Sequence, residues 1–227
     1  MAKNNEIAWL VSYGDTITLL ICLLITIVVV LQGQSEKDTE WVADQVHEIT
    51  EIFRESYPDT NLLRIYPRAS SFKITLSEDL FQPCKDNITQ EVKPIIMQLG
   101  RDLLHEMHKL TFLEKPSFID DSLYLEISIE GHTDNIPLPK GCGEFENNWQ
   151  LSSARAYETM KVITENKYID DNLKQYFESI SIRGYADSQP NCTNETADGR
   201  ACNRRIEIIF IAYLMGGGTY YSDSADN

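Results

Sequence analysis

Asp15 is the first residue in this chain whose surroundings call for an explanation. It lies in "AWLVSYGDTITLL" (8–20), at the start of the longest apolar stretch. Between Glu6 and Glu36 the only other ionisable side chains are the Tyr13 phenol and the Cys22 thiol. As a helix, Ile7 to Leu31 spans roughly 37 Å at ~1.5 Å per residue. That exceeds the ~30 Å hydrocarbon core, so a single tilted transmembrane helix is expected. An ionised Asp in such a helix costs about 2.5–3.5 kcal/mol even on lenient insertion scales. On a helical wheel Ser12, Asp15, Thr18, Cys22 and Thr26 fall within about 120°. This polar stripe has to face other helices or water, so partner helices are required. A carboxylate that alternates between dry and wet surroundings can take up and release H⁺, or hold Na⁺. Ser12, Thr16 and Thr18 supply hydroxyls that could ligate Na⁺ or simply pack between helices.

The second set of candidates is in "EGHTDNIPLPKGCGEFENNWQLSSARAYETM" (130–160). A strand is expected to end at Gly131, which puts Asp134 just past its tip. Asn148 and Arg155 follow around the start of the next helix, which Asn147 or Asn148 can cap. One carboxylate and one guanidinium suit a zwitterionic amino-acid centre. The plainer expectation is a salt bridge between the two. The loop 184–205 should lie at the same sheet end and add Asn203, Arg204 and Arg205. No Ser/His/Asp or Cys/His arrangement, P-loop or zinc signature is present. No metal, cofactor or catalysis is expected. His132 reads as structural, and His47, His105 and His108 sit on helices without obvious partners.

The elements that must position these residues follow from hydrophobic periodicity. After a polar break at "QGQSEKDTE", Val42, Val46, Ile49 and Phe53 form one stripe of a linker helix that Pro58 ends. Strands are expected at 70–76, 122–131, 179–184 and 204–214. Helices are expected at 88–111, 149–166 and 170–177. The order β-α-β-α-β-β gives an α+β two-layer domain, with helices on one face of a mixed sheet. The expected organisation is leader and membrane helix 1–34, linker or plug-like helix 35–59, domain 60–214 and a disordered tail 215–227.

Composition narrows the classes. The chain has 227 residues and a net charge of −15, and lacks any basic run. That excludes a nucleic-acid surface, which needs a basic face. No small-x-small cleavage site follows the apolar run, so it reads as an anchor and not a signal peptide. The amino terminus and Lys3 favour a cytoplasmic N-terminus. Cys84, Cys142, Cys192 and Cys202 then lie on the exported side, an even number suited to two disulfides. Three connectivities are possible. Proximity favours Cys192–Cys202, leaving Cys84–Cys142.

The segments "GHTDNIP…NNWQLSSARA" and "IRGYADSQP…GRACNRRIEI" resemble the OmpA-like peptidoglycan-binding domain. The long loop after Asp134 is more similar to the MotB branch. "WLVSYGDTITLL" resembles the short transmembrane motif of MotB- and PomB-type subunits, which carries the ion-binding Asp. The resemblance implies a stator B subunit of the bacterial inner membrane, with its C-terminal domain periplasmic. It would form a homodimer within a pentamer of multi-pass MotA-like subunits (5:2). Asp15 would carry H⁺ or Na⁺ with Thr18 and Ser12 nearby, coupling ion flow to rotation of the A-subunit ring. By the same carry-over Asp134 and Arg155 would hold the diaminopimelate of the peptidoglycan stem, with Thr133, Asn148 and Arg205 beside them. Such subunits serve flagellar motors and also the Zorya anti-phage system, through its ZorB component. The alternative from another class is a passive tether that binds peptidoglycan without transporting ions.

Overall fold

The structure is a computed structural model that describes residues 2–82, 84–116, 119, 122–139, 141, 144–165 and 169–215; of 2–8, 10–12 and 34 it describes the backbone alone. Contacts divide the chain into two units, residues 1–41 and 42–227.

The first unit is helical. Helix α1 runs unbroken from Ala2 to Ser56, through the expected polar break and into the second unit. The continuity of the helix has a physical reason. "QGQSEKDTE" contains no proline, and its one glycine, Gly33, costs a helix only about 1 kcal/mol. Within Tyr13–Ser56 an 18-residue window reaches a mean hydropathy of 2.6, long and apolar enough to cross a membrane. Its side chains, from Leu19 to Leu31, are exposed, as a lipid-facing surface would be.

The second unit begins with the Val42 stripe. Val42, Val46, Ile49 and Phe53 are all buried, so this part of α1 belongs to the domain core. Phe53 meets Phe72 with ring centroids 5.4 Å apart, and Phe72 stacks on Phe210 at 5.1 Å. Tyr57, just past the helix, donates to Asp102 Oδ2 at 2.6 Å.

Five strands form the sheet: β1 Leu63–Pro67, β2 Ser71–Ser77, β3 Ser122–His132, β4 Ile180–Ala186 and β5 Arg205–Met215. Their order is β1-β2-β5-β3-β4. Strand β1 is an addition to the expected set; buried Leu63 and Ile65 alternate with exposed Arg64 and Tyr66, but the strand is only five residues long. All neighbours are antiparallel except β3 and β4. Alternation places Phe72, Ile74 and Leu76 of β2, Ile127 and Ile129 of β3, and Ile206, Ile208 and Phe210 of β5 in the core.

Helices α2 (Lys93–Thr111) and α3 (Asn148–Thr164) contribute to this core. Helix α2 starts five residues later than its pattern suggests. Pro94 suits its first turn, while Ile88 makes a bridge to Phe81. The expected helix at 170–177 divides into α4 (Asp171–Lys174) and a 3-10 turn. The loop expected at 184–205 contains α5 (Ala197–Asn203). The tail beyond Met215 lies outside the described residues.

Candidate functional site

Two glycines bring α3 onto the sheet. Gly131 and Gly184 are register partners on β3 and β4. A Cβ on Gly131 would lie 2.0 Å from the Ser152 carbonyl oxygen, and one on Gly184 2.1 Å from Ser153 Oγ. Only hydrogen at both positions lets the start of α3 approach this closely. Ser152 Oγ then accepts from Ala186 N at 3.1 Å, tying helix to strand.

That approach assembles the cleft. Asn147, not Asn148, caps α3 by accepting from Gln150 N at 3.0 Å. Asn148 is thereby left to hold the loop after β3, donating to the carbonyls of Asp134 (3.2 Å) and Ile136 (2.9 Å). Thr133 Oγ1 also donates to the Asp134 carbonyl, at 2.9 Å. Asp134 Oδ1 accepts from Ile136 N at 3.0 Å, which fixes the carboxylate in an Asx turn. Thr133 and Asn148 therefore shape the loop that presents Asp134.

Asp134 and Arg155 line one cleft of about 220 Å³, with Glu78, Cys84, Leu151 and Arg204 among its other walls. They do not pair with each other. Arg204 Nη1 donates to Asp134 Oδ2 at 2.5 Å, and the rest of its guanidinium grips Glu78. Arg155 instead donates through Nε to the Lys85 carbonyl at 3.0 Å and lies 4.8 Å over the Phe81 ring. Among the described residues it makes no ion pair, and it is 7% exposed. Burial pulls its guanidinium below the ordinary value, against the opposing charge of Glu78. The hydrogen bond to Glu78 foremost, with that to Asp134 adding, holds Arg204 above its ordinary value.

Arg205, expected beside Asp134 and Arg155, is absent from the cleft, whereas Glu78, which was not among the expected residues, lines it. Arg205 lies on the other side of this strand end, buried against Glu207 (Nε to Oε1, 2.6 Å), and does not line the cleft. The reason is strand alternation: Arg204 precedes β5 and Arg205 is its first residue, so their side chains diverge. The one signal for Glu78 was its place immediately after β2.

His132 belongs to the Arg205 side. It stacks on Tyr185 at 5.3 Å, and its ligand atoms lie within 4.8 Å of those of Glu130 and Glu207. Those carboxylates are already neutralised. Lys73 and Arg205 hold Glu207 at 2.9 and 2.6 Å, and Arg183 reaches Glu130 at 3.3 Å. Three cations around two acids disfavour a divalent ion, and the cluster is better described as a buried ion-pair network. Burial first, then the Arg205 charge, lowers His132 to about 4. Burial opposes ionisation of Glu207, but the hydrogen bonds from Lys73 and Arg205 outweigh it and bring it to about 2.

Cys192 and Cys202 form a disulfide across the loop leading to Arg204. Asn203, fully buried, reinforces the loop: its Oδ1 accepts from Asn191 N and Cys192 N at 2.8 and 2.9 Å. Cys84 is disulfide-bonded, whereas Cys142, its expected partner, lies outside the described residues. In α1, Asp15 is exposed, and Thr18 three residues on donates its hydroxyl to the Gly14 carbonyl at 2.8 Å. The Ser12 side chain lies outside the described part.

Taken together, an apolar helix followed by a two-layer domain with a charged cleft at the β3–α3 junction defines an OmpA-like architecture, and residues 116–204 match the OmpA family. The chain is similar to motility protein B of two bacteria. Motility protein B of Bacillus subtilis is 33% identical over 136 residues, which cover 60% of this chain and 46% of that protein. The chain thus spans about half the length of that relative. Motility protein B of Helicobacter pylori strain J99 is 24% identical, covering 92% of this chain and 90% of that one. A putative MotB-like protein from Desulfovibrio vulgaris shares the fold, with a TM-score of 0.58 over 81% of this chain and 98% of its own, at 14% identity.

Proposed function

We propose that this chain is the B subunit of an ion-driven stator, anchored to peptidoglycan by its OmpA-like domain. The observation that carries the anchoring half is the cleft itself. Asp134 and Arg155 present opposite charges around about 220 Å³, and Arg155 has no ion pair among the described residues. A zwitterionic centre such as that of diaminopimelate can offer its carboxylate to Arg155 and its ammonium to Asp134. The motor half rests on Asp15, a carboxylate in a helix fit to cross a membrane. In this reading the helix spans the bacterial inner membrane with its N-terminus cytoplasmic and the OmpA-like domain periplasmic. Two copies sit within a pentamer of MotA-like subunits, and H⁺ or Na⁺ passes by way of Asp15. The driven machine is a flagellar rotor or an anti-phage device.

The anchoring is tested by sedimenting the full chain, in detergent, with purified peptidoglycan sacculi. Asp134→Ala and Arg155→Ala should each release it into the supernatant; retention of both variants would remove the cleft from the mechanism. For the motor, Asp15→Asn should abolish swimming, or phage resistance, while sacculus binding persists. Unimpaired function in that variant would identify the chain as a passive tether.

A further inference from the structure

The loop between β4 and β5 has almost no core of its own. From Asp187 to Asp198 every residue is exposed except Cys192 and Asn194, which are half-buried. Its helix, α5, has seven residues, fewer than the about 12–15 that an isolated helix needs to persist in water. Polar ties therefore hold the loop. Thr196 caps α5 by accepting from Gly199 N at 3.1 Å, and Arg200 Nη1 donates to the Asn194 and Glu195 carbonyls. From β5, Arg205 donates to the Gln189 carbonyl and Glu207 accepts from the Asn191 amide. Asn203, besides accepting from Asn191 N and Cys192 N, donates to the Cys192 carbonyl and to Asn194 Oδ1, both at 2.9 Å. The Cys192–Cys202 bridge joins the same two limbs covalently, across a separation of 10 residues. Cys202 is exposed, so a small thiol can reach the bond from its side.

These ties bear on the cleft because Arg204 stands where α5 ends and β5 begins. Its N–H closes the last turn of α5 on the Arg200 carbonyl at 3.1 Å, while its guanidinium spans Glu78 and Asp134. Fraying of α5 frees that backbone, and with it the aim of the guanidinium. We infer that the Cys192–Cys202 bond is a redox-sensitive clamp on Arg204, closed as the disulfide and loosened by a dithiol reductant. This regulation rests on the proposed anchoring function. A thiolate of the dithiol attacks the Cys202 sulfur, the bridge breaks and Cys192 leaves as thiolate. The second thiol of the reductant then displaces Cys202 and closes the reductant's own disulfide. The two electrons end on the cysteine sulfurs, which take up the two protons of the dithiol. Losing a crosslink of this span releases on the order of a hundred-fold in loop-closure freedom, part of which the Asn203 bonds retain. With Arg204 in place only part of the time, the apparent affinity of the cleft falls in proportion, by about ten-fold.

The full chain in detergent is compared, oxidised and after dithiothreitol, by hydrogen exchange and by the amount of purified sacculi that retains half of it. Reduction should speed exchange at the amides of 187–204, leave β2, β3 and β5 protected, and raise the half-retaining amount about ten-fold. Cys192→Ala/Cys202→Ala should match the reduced chain and ignore dithiothreitol, which separates this bridge from that of Cys84. In Arg204→Ala, reduction should cost no further retention, whereas a bridge that merely supports the fold would lower it again. Unchanged exchange at 187–204, an undiminished response to dithiothreitol in the double variant, or full additivity with Arg204→Ala would each overturn the inference. Loss of protection throughout the sheet would also overturn it, since the bridge would then staple the whole domain. If the oxidised chain does not bind sacculi, the anchoring function fails, and exchange at 187–204 alone decides the clamp.

Discussion

Arg204 Nη1 donates to Asp134 Oδ2 at 2.5 Å, while the same guanidinium grips Glu78. One cation from the β5 entrance therefore holds two carboxylates from different parts of the chain. Arg204→Ala should leave Glu78 and Asp134 facing each other across the cleft uncompensated. Because Arg204 and Glu78 are about a third exposed, solvent screening limits the expected cost to about 1–2 kcal/mol. Urea unfolding measures it. Asp134→Asn in the same chain should recover part of the loss, since it removes one of the two repelling charges. Strict additivity of the two changes would show that the pair is not coupled.

Gly131 sets how closely α3 can lie on β3. In Gly131→Ala the new Cβ meets the Ser152 carbonyl oxygen at 2.0 Å, a backbone atom that cannot swing away. A loss of about 3 kcal/mol is expected, together with weakened sacculus binding, because α3 carries Asn148 and Arg155. Gly33→Ala is the control. It meets nothing within 4 Å and replaces a helical glycine, so the melting temperature should hold or rise. Equal effects of the two substitutions would discard the close-approach argument.

Stability should fall with acid in a defined window. His132 is lowered to about 4 from an ordinary 6.5. Between those values the unfolded chain binds a proton at this site and the folded chain does not. Stability is therefore full above about pH 6.5 and declines as pH falls toward 4, by on the order of 2–3 kcal/mol. Glu207, at about 2 against an ordinary 4.5, adds a further decline below pH 4.5. His132→Gln should flatten the upper part of this profile in urea midpoints measured from pH 7.5 to 4.5. An unchanged slope would assign the decline to other groups.

Phe53 ties α1 to the sheet. It is 1% exposed and contacts Phe72 and Tyr57. Phe53→Ala should cost about 3–5 kcal/mol, as befits a core residue. A loss under about 1 kcal/mol in chemical unfolding would show that this part of α1 is only a peripheral linker.

Much of the fold is legible along the chain, because period-2 and period-3.6 patterns are local. Leu123, Leu125, Ile127 and Ile129 mark β3, and Val42, Val46, Ile49 and Phe53 mark a buried helical face, without any knowledge of neighbours. The same holds for Asp15, whose cost in an apolar helix is visible from composition. The local signal ran out at "QGQSEKDTE", where polarity resembled a break although nothing in it stops a helix. It also ran out at β1, whose alternation of Leu63 and Ile65 with Arg64 and Tyr66 spans only five residues.

What the sequence by itself determined is the set of chemical groups: a carboxylate in an apolar helix, an Asp at a strand end, an Arg about two helical turns into α3 and two cysteines ten residues apart. Their partners were decided only in three dimensions. Asp134 pairs with Arg204, 70 residues away, and not with Arg155. Strand alternation turns Arg204 toward the cleft and Arg205 toward Glu207. Glu78 enters from β2, 126 residues before the arginine that it binds. Ion pairs form wherever backbone packing brings opposite charges within reach. Here Gly131 and Gly184 set how closely α3 lies on the sheet, and the order β2-β5-β3 brings Glu78, Arg204 and Asp134 to one sheet end.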